Sequence, residues 1–151
     1  MAAALVAGAA GVRVGTRFVA SKESEAHPAY VDALIAATAQ DTIVTEAFSV
    51  GWPNAPHRVL RSCIQAAEAF KGDIVAEQLI GDQRMPVPRL APRSPSRTTS
   101  GTIAAMSLAA GESVGSVRRI QPAAEILRDL VEDAERRLHQ WDREAVQHAV
   151  R

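Results

Sequence analysis

Gly11-Val12-Arg13-Val14-Gly15-Thr16-Arg17-Phe18 is the stretch that decides the fold. Val12, Val14 and Phe18 predict a short buried strand over residues 12–18 that runs straight into a Gly-Thr turn. Gly15 lets the backbone come close to another group, and Thr16 adds a hydroxyl. That pair suits an anion held by backbone N–H groups and a side-chain donor. Upstream, residues 2–10 are apolar and Ala-rich and read as helix, with Gly11 as the stop. Helix, tight Gly turn and strand is the rhythm of a parallel α/β fold.

Outward from that stretch, Pro28 opens a helix to about residue 38, with Tyr30, Leu34 and Ile35 on its inner face. Residues 41–48 alternate and are rich in Thr, Ile and Val, which predicts a strand. After the break at Gly51-Trp52-Pro53-Asn54, residues 55–70 read as helix, with Val59, Leu60, Cys63, Ile64, Ala67 and Phe70 at helical spacing. Residues 74–80 fit a short strand or more helix. Residues 85–100 carry Pro, Arg, Ser and Thr and predict an extended surface loop. Residues 102–110 read as a short helix, and residues 111–115 as a second Gly-flanked turn. Pro122 opens the longest helix, to about residue 148. Its inner face is expected at Leu127, Leu130, Val131, Ala134, Leu138, Trp141 and Ala145, and its outer face carries Glu, Asp and Arg.

The chain has 151 residues, room for one domain. Seventeen basic and seventeen acidic residues cancel, which argues against a nucleic-acid partner. With apolar residues at 47% and aromatics at 4%, the core has to rest on Ala, Val, Leu and Ile. Cys63 is the single cysteine, so no intrachain disulfide forms and a cytoplasmic setting is expected. Residues 1–10 lack a basic lead and are too short to span a bilayer, so no membrane partner is expected.

Side chains with chemistry are few. His27 precedes a proline in a turn and reads as structural. His57, His139 and His148 fall on expected helices beside charges and read as surface groups. No histidine pair has ligand spacing with Cys or carboxylate support, so no metal is expected. Cys63 on an apolar helix face reads as a buried thiol. Trp52 and Trp141 read as packing residues, and Arg89, Arg93 and Arg97 as a solvated loop. Gly111-Glu112-Ser113-Val114-Gly115 has the Gly-x-Ser-x-Gly form of a nucleophile elbow, but a helix rather than a strand is expected before it, so a hydrolase is rejected.

The segments together resemble the C-terminal region of the nitronate monooxygenases (2-nitropropane dioxygenases), FMN-dependent (β/α)8-barrel enzymes. The resemblance is carried by residues 3–18, by Glu23-Ser24, by Ala26-His27-Pro28-Ala29-Tyr30 and by Asp41-Thr42. Phe48-Ser49, Arg58-Val59-Leu60-Arg61 and Ala110-Gly111-Glu112-Ser113-Val114-Gly115 extend it. It implies an α/β chain, the C-terminal portion of a TIM barrel followed by a mostly helical segment, with residues 12–18 as the eighth strand. Residues 1–48 would hold the last helix–strand unit and the following helix. Residues 49–84 would be a helical region, 85–100 a Pro-rich loop and 101–151 the C-terminal helices.

Barrels of this kind bind phosphate with the loops after strands seven and eight. The resemblance therefore implies that Gly15 and Thr16 meet the FMN phosphate, with Arg13 and Val14 completing the cofactor-binding segment. Many family members carry Gln at the position of Arg13. The implied activity is oxidation of alkyl nitronates by flavin, with O2 as the final acceptor. The family's catalytic His, in a Gly-Gly-His context, has no counterpart here, so the chain is expected to be the back part of a longer enzyme. Flavin-dependent enoyl-ACP reductases share the Gly-Thr-Arg-Phe segment and the Ala-His-Pro turn and are the first alternative. The second is a non-catalytic remnant that folds against a partner chain.

Overall fold

The structure is a computed structural model, and it describes residues 1–149, with side chains to residue 143. It is a mixed α/β chain. A short helix, α1 (Ala2–Val6), ends before Gly8, where the backbone turns at φ +92°. Residues 11–15 then form no regular element, and α2 (Thr16–Val19) follows. The strand expected over residues 12–18 is therefore absent as such. A parallel strand takes its hydrogen bonds from neighbours on both sides. Among the described residues none pairs with residues 11–15, and Val12 and Val14 lie exposed.

The helix opened by Pro28 is α3 (Pro28–Ala36). His27 caps it: its Nδ1 accepts the Ala29 N–H at 3.1 Å, and Pro28 loses nothing at a position where the N–H has no helical partner. Tyr30, Val31 and Leu34 face inward. The strand expected over residues 41–48 is β1 (Thr42–Thr45). It pairs antiparallel with β2 (His57–Leu60), Ile43 opposite Val59.

The helix expected over residues 55–70 is thus split into β2 and α4 (Arg61–Ala69). Pro56 disfavours the α region for Ala55. Both edges of β2 also find partners: β1 on one side and, on the other, residues 108–110, through Leu60 N–H to Leu108 O and Ala110 N–H to Arg58 O, each 3.0 Å. That second lane is why residues 102–110 are not a helix beyond one 3₁₀ turn, Ile103–Ala105. Residues 111–115 become another 3₁₀ turn, Glu112–Ser116.

Residues 74–80 resolve as a strand, β3 (Ile74–Ile80). It hairpins through Gly81-Asp82 into β4 (Gln83–Pro88), and β5 (Ser100–Gly101) pairs on its other side. Part of the expected loop over residues 85–100 is therefore strand. Pro86 and Pro88 are tolerated because β4 lies at the sheet edge. The core gathers Leu34, Phe48, Val59, Cys63, Val87, Met106 and Val114 between α3, α4 and the strands.

The long helix is α5 (Ala123–Ala149). It buries Ile126 and Ala134, while Leu127, Val131 and Trp141 are exposed, so the expected inner face is largely open. Ala145 and His148 lie outside the described side chains. No helix among the described residues is long and apolar enough to cross a membrane.

Candidate functional site

The Gly-Thr pair is held by the turn that follows β2's second lane. Gly111 N–H donates to Thr16 Oγ1 at 2.9 Å. Tyr30, 3% exposed, donates its hydroxyl to Ala109 O at 2.5 Å. Arg58 makes two side-chain bonds: Nη2 to Glu112 at 2.8 Å and Nη1 to Thr42 Oγ1 at 3.1 Å. Around these contacts lies a cavity of about 270 Å³, lined by Gly15, Thr16, Val19, Tyr30, Arg58 and residues 109–111.

The lining contains no carboxylate. Thr16 Oγ1 accepts from Gly111, so its own proton remains to be donated. No acceptor among the described residues takes the N–H groups of residues 13–17. A Cβ built on Gly15 meets nothing within 4 Å, so the backbone there is approachable. Its φ of −107° is open to any residue, and the bare backbone is what glycine contributes. Burial pushes the Tyr30 phenol up to about 12, which keeps it a neutral donor. A free hydroxyl proton and unsatisfied amides, beside a cation that is itself paired with Glu112, fit an anionic oxygen-rich group. A phosphate has that chemistry.

Residues 1–133 match the nitronate monooxygenase family. The chain belongs to the nitronate monooxygenase family. No curated protein matches it. Two solved structures of FabK from Thermotoga maritima are similar. A point mutant is 29% identical with a TM-score of 0.65, covering 94% of this chain and 39% of that one. A second FabK structure is 28% identical with a TM-score of 0.64, covering 94% and 42%. The chain thus spans about two-fifths of the length of the FabK chains it matches. It corresponds to a portion of their TIM barrel. The family's enzymes are flavin-dependent oxidoreductases.

The four residues singled out in the sequence do not share one wall. Gly15 and Thr16 line the cavity above. Val14 lines a separate one of about 550 Å³ with Arg17, Ser113, Arg118 and α5 residues, and the exposed Arg13 side chain has no partner among the described residues. Tyr30, Arg58 and Gly111 do not stand out as site residues in the sequence. Their signal was present only as segments of the family pattern. Nor does Arg17 stand out there, although it donates to Arg119 O at 3.2 Å and to Gln121 Oε1 and so ties α2 to the chain ahead of α5. Burial lowers its pKa, and Asp129 opposes that shift.

Other side chains differ from their sequence-based roles. His57 sits half-buried on β2, stacked by the exposed Trp52 at 5.8 Å, with Nε2 buried and unpartnered; it is not a surface helix residue. Trp52 and Trp141 are exposed rather than packed in a core. Arg97 is more than a solvated charge, because it donates to Lys22 O and Ser24 O at 2.9 Å each. Cys63 is fully buried, its thiol donating to Leu60 O at 3.0 Å. No group of residues among those described could hold a metal ion.

Proposed function

We propose that the chain contributes one end of an FMN site in an enzyme that oxidises alkyl nitronates with O2. Gly15 and Thr16 would take the phosphate through backbone N–H groups and the Thr16 hydroxyl, with Arg58 as the nearby cation and Arg13 and Val14 flanking. The observation that supports this most directly is the carboxylate-free cavity beside the Gly15 backbone, where the Thr16 hydroxyl keeps its proton to donate and the N–H groups of residues 13–17 have no acceptor among the described residues. FMN, when bound there, would supply the redox chemistry between nitronate and O2. The residues of this chain hold and orient the phosphate end. None of them is assigned to the proton or electron steps.

The similarity to FabK favours a second reading, a flavin-dependent enoyl reductase. The two separate by substrate. A flavin-loaded preparation that consumes an alkyl nitronate and O2 without pyridine nucleotide supports the first, and one that consumes a pyridine nucleotide with an enoyl thioester supports the second.

The phosphate assignment has its own test. FMN and riboflavin, which differ by the phosphate, are titrated into the chain and followed by flavin fluorescence. Thr16→Val should weaken FMN about tenfold, the value of one hydrogen bond to a charged group, and leave riboflavin unchanged. Equal losses for both ligands, or no loss, would count against a phosphate at Thr16.

A further inference from the structure

The Arg58–Glu112 ion pair lies beside the Gly-Thr site, yet Glu112 does not line the cavity. Glu112 follows Gly111, whose N–H is the donor to Thr16 Oγ1. The backbone leading to Gly111 is already pinned at two points, Ala110 N–H to Arg58 O and the Tyr30 hydroxyl to Ala109 O. Arg58 is itself fixed at its other nitrogen by Thr42 Oγ1. On the far side of Gly111 the ion pair and the Val114 N–H to Gly111 O bond, 3.0 Å, restrain the turn that carries the Gly111 N–H.

We propose that Arg58 and Glu112 are positioning residues: their ion pair holds the Gly111 N–H against Thr16 and thereby fixes the Thr16 hydroxyl as a donor into the cavity. With one lone pair taken by the Gly111 N–H, the hydroxyl keeps its proton to donate and one lone pair to accept. A hydroxyl held at that angle presents its proton to an incoming acceptor such as a phosphate oxygen. The inference rests on the phosphate reading for its ligand, but the positioning is a property of the chain alone.

Two measurements on the full chain test it. The first is amide hydrogen exchange of Gly111. Glu112→Gln, an exposed and nearly isosteric change, should speed it about threefold, in line with a solvent-facing ion pair. The Leu60 amide in the neighbouring lane should not change. Thr16→Val should speed Gly111 exchange about tenfold or more, and Thr16→Ser should restore protection. An unchanged Gly111 rate in Glu112→Gln overturns the proposal.

The second measurement is the affinity for inorganic phosphate, followed by the amide resonances of Gly15 and Thr16 at fixed ionic strength. Simple electrostatics says that removing the Glu112 charge strengthens anion binding. Positioning says the reverse, about a threefold loss. A gain in affinity overturns the proposal. If Gly111 exchange responds as expected while phosphate moves neither resonance in the unmodified chain, the positioning stands and the phosphate reading falls.

Discussion

Tyr30 and Cys63 are two weak acids placed where water is scarce. Tyr30 comes from α3 and Cys63 from α4, and both belong to the same core cluster. Burial pushes the phenol from 10.0 to about 12 and the thiol from 9.0 to about 11, against smaller lowering effects from their hydrogen bonds. Below pH 9 both groups are neutral in the folded and unfolded chain, so their packing counts in full. As pH rises the unfolded chain releases the thiol and then the phenol proton, while the folded chain still holds them. Stability therefore falls from about pH 9 and is lost through the folded values near 11 and 12. Each group accounts for roughly 2–3 kcal/mol at the end of its window. Urea midpoints measured from pH 8 to pH 12 should be flat to pH 9 and then decline. In Cys63→Ala the decline should begin about one pH unit later. A midpoint that stays flat to pH 12 would show that neither group is held protonated by the fold.

Among the elements, the sheet around β3 depends on one backbone position that composition alone does not reveal. Gly101 pairs with Ala76 at φ +128°, and a Cβ built there would lie 2.6 Å from Ala76 Cα and Val75 O. Both the conformation and the space exclude a side chain. Gly101→Ala should cost about 2–4 kcal/mol, through strain and backbone displacement together, and lower the thermal midpoint accordingly. Gly81→Ala, at φ +59° with open space around it, should cost less than half as much. Equal losses would place the sensitivity in φ alone. These elements also mark what could be read from residues and what could not. The start of α3 was legible because Pro28 and the inward residues are local signals. So was the alternation of β1. Helical spacing misread residues 57–60, because Val59 and Leu60 satisfy a helix stripe and a strand equally well. Only the partners on both edges of β2 decide between them. The Gly-Thr pair stood out in the sequence, but Gly111, Tyr30 and Arg58 reach it from up to about a hundred residues away, and no periodicity encodes that meeting.

At the scale of the whole molecule, several of the apolar side chains that find no cover lie on or near α1 and α5, while others, such as Val44, Ile74, Leu79 and Ile80, lie on β1 and β3. Val6 on α1, Val12 and Val14 on the irregular stretch, and Leu127, Val131 and Trp141 on α5 are all exposed, and α1 packs against α5. Val12 and Val14 belong to the segment whose backbone finds no ladder partner among the described residues. Exposed apolar side chains beside unsatisfied backbone form the kind of surface that a larger barrel or a second chain would cover. The match to about two-fifths of FabK agrees with that reading. The chain on its own should therefore bind an apolar dye such as anilinonaphthalene sulfonate while keeping its near-UV circular dichroism, and should self-associate as concentration rises. Leu127→Glu and Val131→Glu together should reduce both effects. The change in thermal midpoint should be slight, because these side chains are already open to water and surface substitutions typically cost within about 0.5 kcal/mol. Dye binding that persists in the double variant would move the exposed surface elsewhere. A large fall in midpoint would mean that this face is packed in solution and needs no further cover.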